Sequence, residues 1–132
     1  NTIILSPPLF DQWSENFSYL LSYSIVMPLD RYLLPGEMVR FASRFPVDFG
    51  GTKFRLYLTN KRLILYREYG AIFKRDEIIS EKLDEIESLR FREEGLLMRT
   101  GVITIVTKTR KVELTGRAAP MRALYMQIQE ML

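Results

Sequence analysis

One stretch constrains the fold more than any other. From Phe54 to Thr59, Phe54, Leu56 and Leu58 alternate with Arg55, Tyr57 and Thr59. Successive side chains of a strand point to opposite faces, so this alternation marks a half-buried strand. Asn60-Lys61 follows as a two-residue turn, with Asn suited to the left-handed conformation that such turns use. With Thr59 facing Arg62, Leu58 meets Leu63 and Leu56 meets Leu65. All four leucines then share one face, which makes this hairpin register self-consistent.

More short strands follow. Leu89 and Phe91 alternate with Ser88, Arg90 and Arg92, Glu93-Glu94-Gly95 turns the chain, and Thr100 to Thr107 extends through Val102, Ile103, Ile105 and Val106. Residues 108–110 form a polar turn before Val112 and Leu114. A strand over 37–45 and a weaker one over 78–82 bring the count to about seven, with no helix between them. That order predicts an antiparallel sandwich or barrel. Beyond Pro120, Met121, Leu124, Ile128 and Met131 recur on one face of a C-terminal amphipathic helix. The chain is thus mainly β (α+β).

Residues 1–32 differ from the rest, with a net charge of −2 against +5 for 33–132. Ser6 is a suitable N-cap and Pro7 a suitable first helical residue. Phe10, Trp13, Phe17, Leu20 and Leu21 then recur at helical spacing, and Pro28 ends the run. This aromatic face is expected either to pack on the strands of its own chain or to dock on a partner or a second copy. Pro28, Pro35 and Gly36 punctuate the boundary, giving an N-terminal helix and linker over 1–32 and a second domain over 33–132.

Leu34-Pro35-Gly36-Glu37, followed some 20 residues later by Leu58-Thr59-Asn60-Lys61-Arg62-Leu63, resembles the entry and second hairpin of bacterial and archaeal PH-like domains. GRAM and GLUE domains of the same pleckstrin-homology superfamily share a similar outline. The resemblance spans roughly 33–132 and implies a seven-stranded PH-like barrel capped by the C-terminal helix, with the N-terminal helix as an addition. These motif residues read chiefly as scaffold, so the resemblance implies a fold and not a site.

Composition narrows the chemistry. The 132 residues contain no Cys and no His, which removes thiol nucleophiles, disulfides, imidazole acid–base catalysis and His- or Cys-ligated metals. Glu81, Asp84, Glu85 and Glu87 form an acidic run, but Lys82, Arg90 and Arg92 interleave with it and a calcium-loop spacing is absent. Gly50-Gly51-Thr52-Lys53 lacks the spacing of a phosphate loop. A non-enzymatic domain without metal or cofactor is expected. The apolar stretch 17–29 is too short and too polar to span a membrane, and acidic residues precede it where a signal peptide carries basic ones. The expected location is cytoplasmic, with peripheral membrane attachment left open.

In the PH-like barrel the first, third and sixth inter-strand loops gather at the open end. Here those segments carry Arg44, Lys53 and Arg55; Arg67, Lys74 and Arg75; and Lys108, Arg110 and Lys111. With the acids counted there they sum to +6, against −2 for the other three turns. Arg44 followed by Lys53-Phe54-Arg55 also resembles the basic pattern of phosphoinositide-binding relatives, with Arg at the leading position. A positive pole would draw anions, with Arg gripping phosphate through two hydrogen bonds. The function expected first is a module that tethers to an anionic membrane surface or an acidic protein partner. The alternatives are an assembly module using the N-terminal helix and, less favoured, a nucleic-acid binder stacking bases on Phe49, Tyr57, Tyr66 and Tyr69.

Overall fold

The structure, a computed structural model, describes residues 28–132. The expected helix face of Phe10, Trp13, Phe17, Leu20 and Leu21 lies outside the described residues. A 3-10 turn, Pro28–Tyr32, leads the described chain, and Glu37–Leu132 forms a compact unit.

Within that unit the strands are β1 (Val39–Phe49), β2 (Thr52–Thr59), β3 (Arg62–Tyr69), β4 (Arg75–Lys82), β5 (Ile86–Glu94), β6 (Thr100–Thr107) and β7 (Lys111–Arg117). They make one antiparallel sheet in the order β4-β3-β2-β1-β7-β6-β5. The C-terminal helix α1 (Ala118–Met131) packs on β5, β6 and β7. Val47, Phe54, Leu56, Leu58, Leu63, Leu65, Ile103, Ile105, Val112 and Leu114 line one core, which Met121, Leu124 and Ile128 of α1 close. Gly101 and Gly116 face each other across β6 and β7. A Cβ on Gly101 would stand 2.7 Å from Met121 Cβ, so the bare backbone is what lets the helix settle onto the sheet.

The β2–β3 register is the expected one, Leu58 opposite Leu63 and Leu56 opposite Leu65. Its turn is built differently. No described residue other than glycine has a positive φ, so Asn60 is not left-handed. Instead the Thr59 hydroxyl accepts hydrogen bonds from the amides of Lys61 (3.0 Å) and Arg62 (2.8 Å). A side-chain oxygen thus does locally what a special backbone conformation would otherwise do. Asn60 serves another purpose: its Oδ1 accepts from the Met38 backbone amide at 2.8 Å, and its backbone N–H donates to the Met38 carbonyl at 3.1 Å.

This turn is locked to the entry motif. The Glu37 side chain is fully buried, and Arg62 grips it with Nε to Oε2 at 2.9 Å and Nη2 to Oε1 at 2.8 Å. Thr59 Oγ1 donates to Oε2 at 2.6 Å. The two motifs, more than 20 residues apart in sequence, are therefore the two halves of one buried ion pair. Two-pronged carboxylate–guanidinium pairs fix geometry as well as energy.

Strand boundaries shift from the sequence reading for traceable reasons. β1 runs past 45 to Phe49, because residues 43–45 bulge and make room for Pro46. Ser43 Oγ fills the bulge, accepting from the Leu56 amide at 3.1 Å and donating to the Phe45 carbonyl at 2.8 Å. β4 begins at Arg75 instead of 78, since cross-strand partners hold its polar start: Arg67 Nε donates to Glu77 at 2.7 Å and Tyr66 Oη to Asp76 at 2.8 Å. Glu93 and Glu94, expected in a turn, end β5, and the turn proper falls at 95–99.

Candidate functional site

The glycine turn 50–51 joins β1 to β2, and the loop 70–74 joins β3 to β4. Because β2 and β3 are neighbours, these hairpins share one side of the sheet. Lys53 is two-thirds exposed and lies 3.9 Å from Asp48, a weak pair. Arg55 Nε donates to the Ser43 carbonyl at 2.8 Å, and its guanidinium lies 5.8 Å from the Tyr57 ring centre. Arg44, one residue beyond that carbonyl, is exposed with no side-chain partner among the described residues.

Arg67 points along the inner row of β3 and reaches the rim of the core. Its guanidinium lies 4.2 Å from the Tyr69 ring centre and 5.7 Å from that of Phe54, close enough for cation–π attraction. Lys74 and Arg75 are exposed and carry no side-chain partner among the described residues. Immediately before them stand Ile72 and Phe73, 83% and 80% exposed. Gly70, with φ +100°, makes this tip possible, because the Phe73 carbonyl occupies the place a Cβ would take.

The third basic group is placed apart. Arg110, in the β6–β7 turn, is ion-paired with Glu81 near the far end of β4. Glu81 is six residues along β4 from Arg75, about 20 Å of extended chain. Lys108 and Lys111 flank Arg110, exposed and without side-chain partners among the described residues. The structure therefore groups Arg44, Lys53, Arg55, Arg67, Lys74 and Arg75 on the β1–β2 and β3–β4 hairpins, and leaves Lys108, Arg110 and Lys111 as a separate cluster. Glu77 and Glu81 answer Arg67 and Arg110 across strands, so the charge imbalance is smaller than a tally of loop residues suggests.

Tyr57 and Tyr66 are buried and meet edge-on, ring centres 6.5 Å apart, and burial pushes the Tyr57 hydroxyl above the usual phenol range. Neither presents a face for base stacking. Phe49 leans on Phe54 at 6.2 Å. In the acidic run, Glu81 belongs to Arg110, and no group of three or more acids able to hold a metal is found among the described residues.

Sequence reasoning missed two apolar loop tips. Besides Ile72-Phe73, the β5–β6 turn exposes Leu96, Leu97 and Met98 by 97%, 96% and 82%. A signal was present: each tip is a glycine followed within two residues by adjacent large apolar side chains and then a cation, Gly70-Ala71-Ile72-Phe73-Lys74 and Gly95-Leu96-Leu97-Met98-Arg99.

Comparison with solved structures agrees with the expected architecture. The chain is similar to the crystal structure of a pleckstrin homology domain from Shewanella amazonensis SB2B, with a TM-score of 0.61 at 15% identity over 81% of this chain and 94% of that one. At that identity the likeness concerns the fold, which is PH-like. No family model matches the sequence, and no curated protein matches it.

Proposed function

We propose that this chain is a non-enzymatic interaction module that attaches to anionic membrane surface through its β1–β2 and β3–β4 hairpins. One observation carries the reading: Ile72 and Phe73 stand almost wholly in water at a hairpin tip, directly before Lys74 and Arg75, two exposed cations with no side-chain partner among the described residues. Apolar side chains at a tip gain by entering the headgroup boundary, about 25 cal/mol for each Å² removed from water. A Lys or Arg held just above an anionic surface adds about 1 kcal/mol. Arg44, Lys53 and Arg55 add positive charge on the neighbouring β1 and β2 strands. Cations alone would equally meet an acidic protein, and the apolar pair ahead of them favours lipid. Among the described residues no helix is long and apolar enough to cross a membrane, so attachment by these residues would be peripheral.

The test is sedimentation with vesicles of phosphatidylcholine, with and without phosphatidylserine, at low and moderate salt. Binding is expected only with phosphatidylserine and should weaken as salt rises. Equal recovery with both vesicle types, or none with either, would contradict the reading.

A further inference from the structure

The β5–β6 tip, residues 95–99, lies outside the β1–β2, β3–β4 and β6–β7 basic segments. Gly95 takes φ +103°, and a Cβ there would lie 2.7 Å from the Met98 carbonyl. Gly70 shows the same arrangement against Phe73, so one turn design recurs at both tips. Arg99 ties down the base of the loop: its Nη1 donates to the Gly95 carbonyl at 2.8 Å, its Nε reaches Glu93 at 3.5 Å, and its own carbonyl accepts from the Ala118 amide at 3.1 Å. The backbone is thereby fixed while Leu96, Leu97 and Met98 are held away from the core.

A collar of charge stands behind the tip. Arg92, Arg99 and Arg122 bind Glu93 and Glu94, and exposed Arg117 lies opposite Thr100 with no side-chain partner among the described residues. Glu113 also lies 3.8 Å from Arg92, so four guanidinium groups face three carboxylates and the collar is net positive by one. A convex point of three apolar side chains, backed by a cationic ring, matches a medium that is apolar within and anionic at its surface. A protein partner would need a socket with a negative rim to do the same.

We infer that Leu96-Leu97-Met98 is a second membrane-inserting wedge, distinct from Ile72-Phe73, which enters the acyl boundary while the collar meets anionic headgroups. This rests on the proposed attachment to anionic membrane, and the test separates the two. The chain lacks cysteine, so single labels are clean: Leu97→Cys, Phe73→Cys and Gln129→Cys (an exposed site on α1) would each carry an environment-sensitive fluorophore. With phosphatidylserine-containing vesicles, the probe at 97 should brighten several-fold and shift to the blue, while the probe at 129 stays unchanged. In unlabelled protein, Leu97→Asn should lower vesicle partitioning about tenfold with the circular dichroism unaltered. Sedimentation with a responsive probe at 73 and a silent probe at 97 would overturn the wedge alone. Failure to sediment with any vesicle would remove the parent reading and the wedge together. A dimer that Leu97→Asn dissociates, with vesicles ignored, would assign the tip to a second copy of this chain and overturn the inference.

Discussion

Arg62 and Arg75 show two opposite uses of one side chain, on neighbouring strands of the sheet. Arg62 is mostly buried, holds the Glu37 carboxylate with two nitrogens, and joins the chain entering β1 to the β2–β3 turn. Arg75 is exposed, has no side-chain partner among the described residues, and follows an apolar pair that the fold leaves in water. The first is consumed by structure. The second is left over from structure, and residues that folding does not use are where an interaction module keeps its contacts.

That contrast gives graded expectations. Removing one half of the buried pair should do the greatest damage. Glu37→Ala strands the Arg62 charge and is expected to cost about 3–5 kcal/mol, read by urea unfolding. A loss near zero would mean that the pair is not buried as described. Next comes the helix seat: Gly101→Ala pushes a methyl into Met121 and should cost about 1–3 kcal/mol by overpacking. Thermal unfolding with unchanged midpoint would refute the close approach.

The exposed region should behave in the reverse way. Lys74→Glu combined with Arg75→Glu is expected to leave unfolding within about 0.5 kcal/mol of the parent, while vesicle affinity falls about thirtyfold or more, at about 1 kcal/mol for each of the two cations lost. Stability loss without binding loss would erase the distinction between the two regions. The smallest effect concerns Glu93, whose carboxyl is held below its ordinary range first by the Arg122 hydrogen bond and then by Arg99. A depressed pKa stabilises the fold above the unfolded-state value, and this contribution disappears as pH falls through the folded-state value. Unfolding midpoints of the parent and of Glu93→Gln should therefore differ slightly at neutral pH and converge in acid. A gap that persists in acid would detach the effect from ionisation.

The same contrast explains what could be read from sequence. Leu56, Leu58, Leu63 and Leu65 revealed their pairing because alternation and a short turn are local signals, and the register followed from them. Met121, Leu124 and Ile128 revealed the buried face of α1 for the same reason. The Pro-Gly-Glu and Thr-Asn-Lys-Arg segments could be recognised, but not that Glu37 and Arg62 hold each other, since no local periodicity links residues 25 apart. Asn60 misled because Thr59 beside it can close a turn with its hydroxyl.

The site was less legible than the fold. Glu77 and Glu81, both on β4, neutralise Arg67 on the neighbouring strand and Arg110 in the distant β6–β7 turn, which a count along the chain cannot reveal. Ile72-Phe73 and Leu96–Met98 resemble strand residues by composition. Only the three-dimensional fold distinguishes an apolar pair that reaches the core from one that the turn holds in solvent.

The most direct measurement is emission from a fluorophore at Phe73→Cys, titrated with vesicles of rising phosphatidylserine content. The expected result is a blue shift that grows with phosphatidylserine and reverses on adding salt, as the apolar tip leaves water under the pull of the adjacent cations. Emission that stays at its aqueous value through the whole titration would contradict membrane attachment through this hairpin.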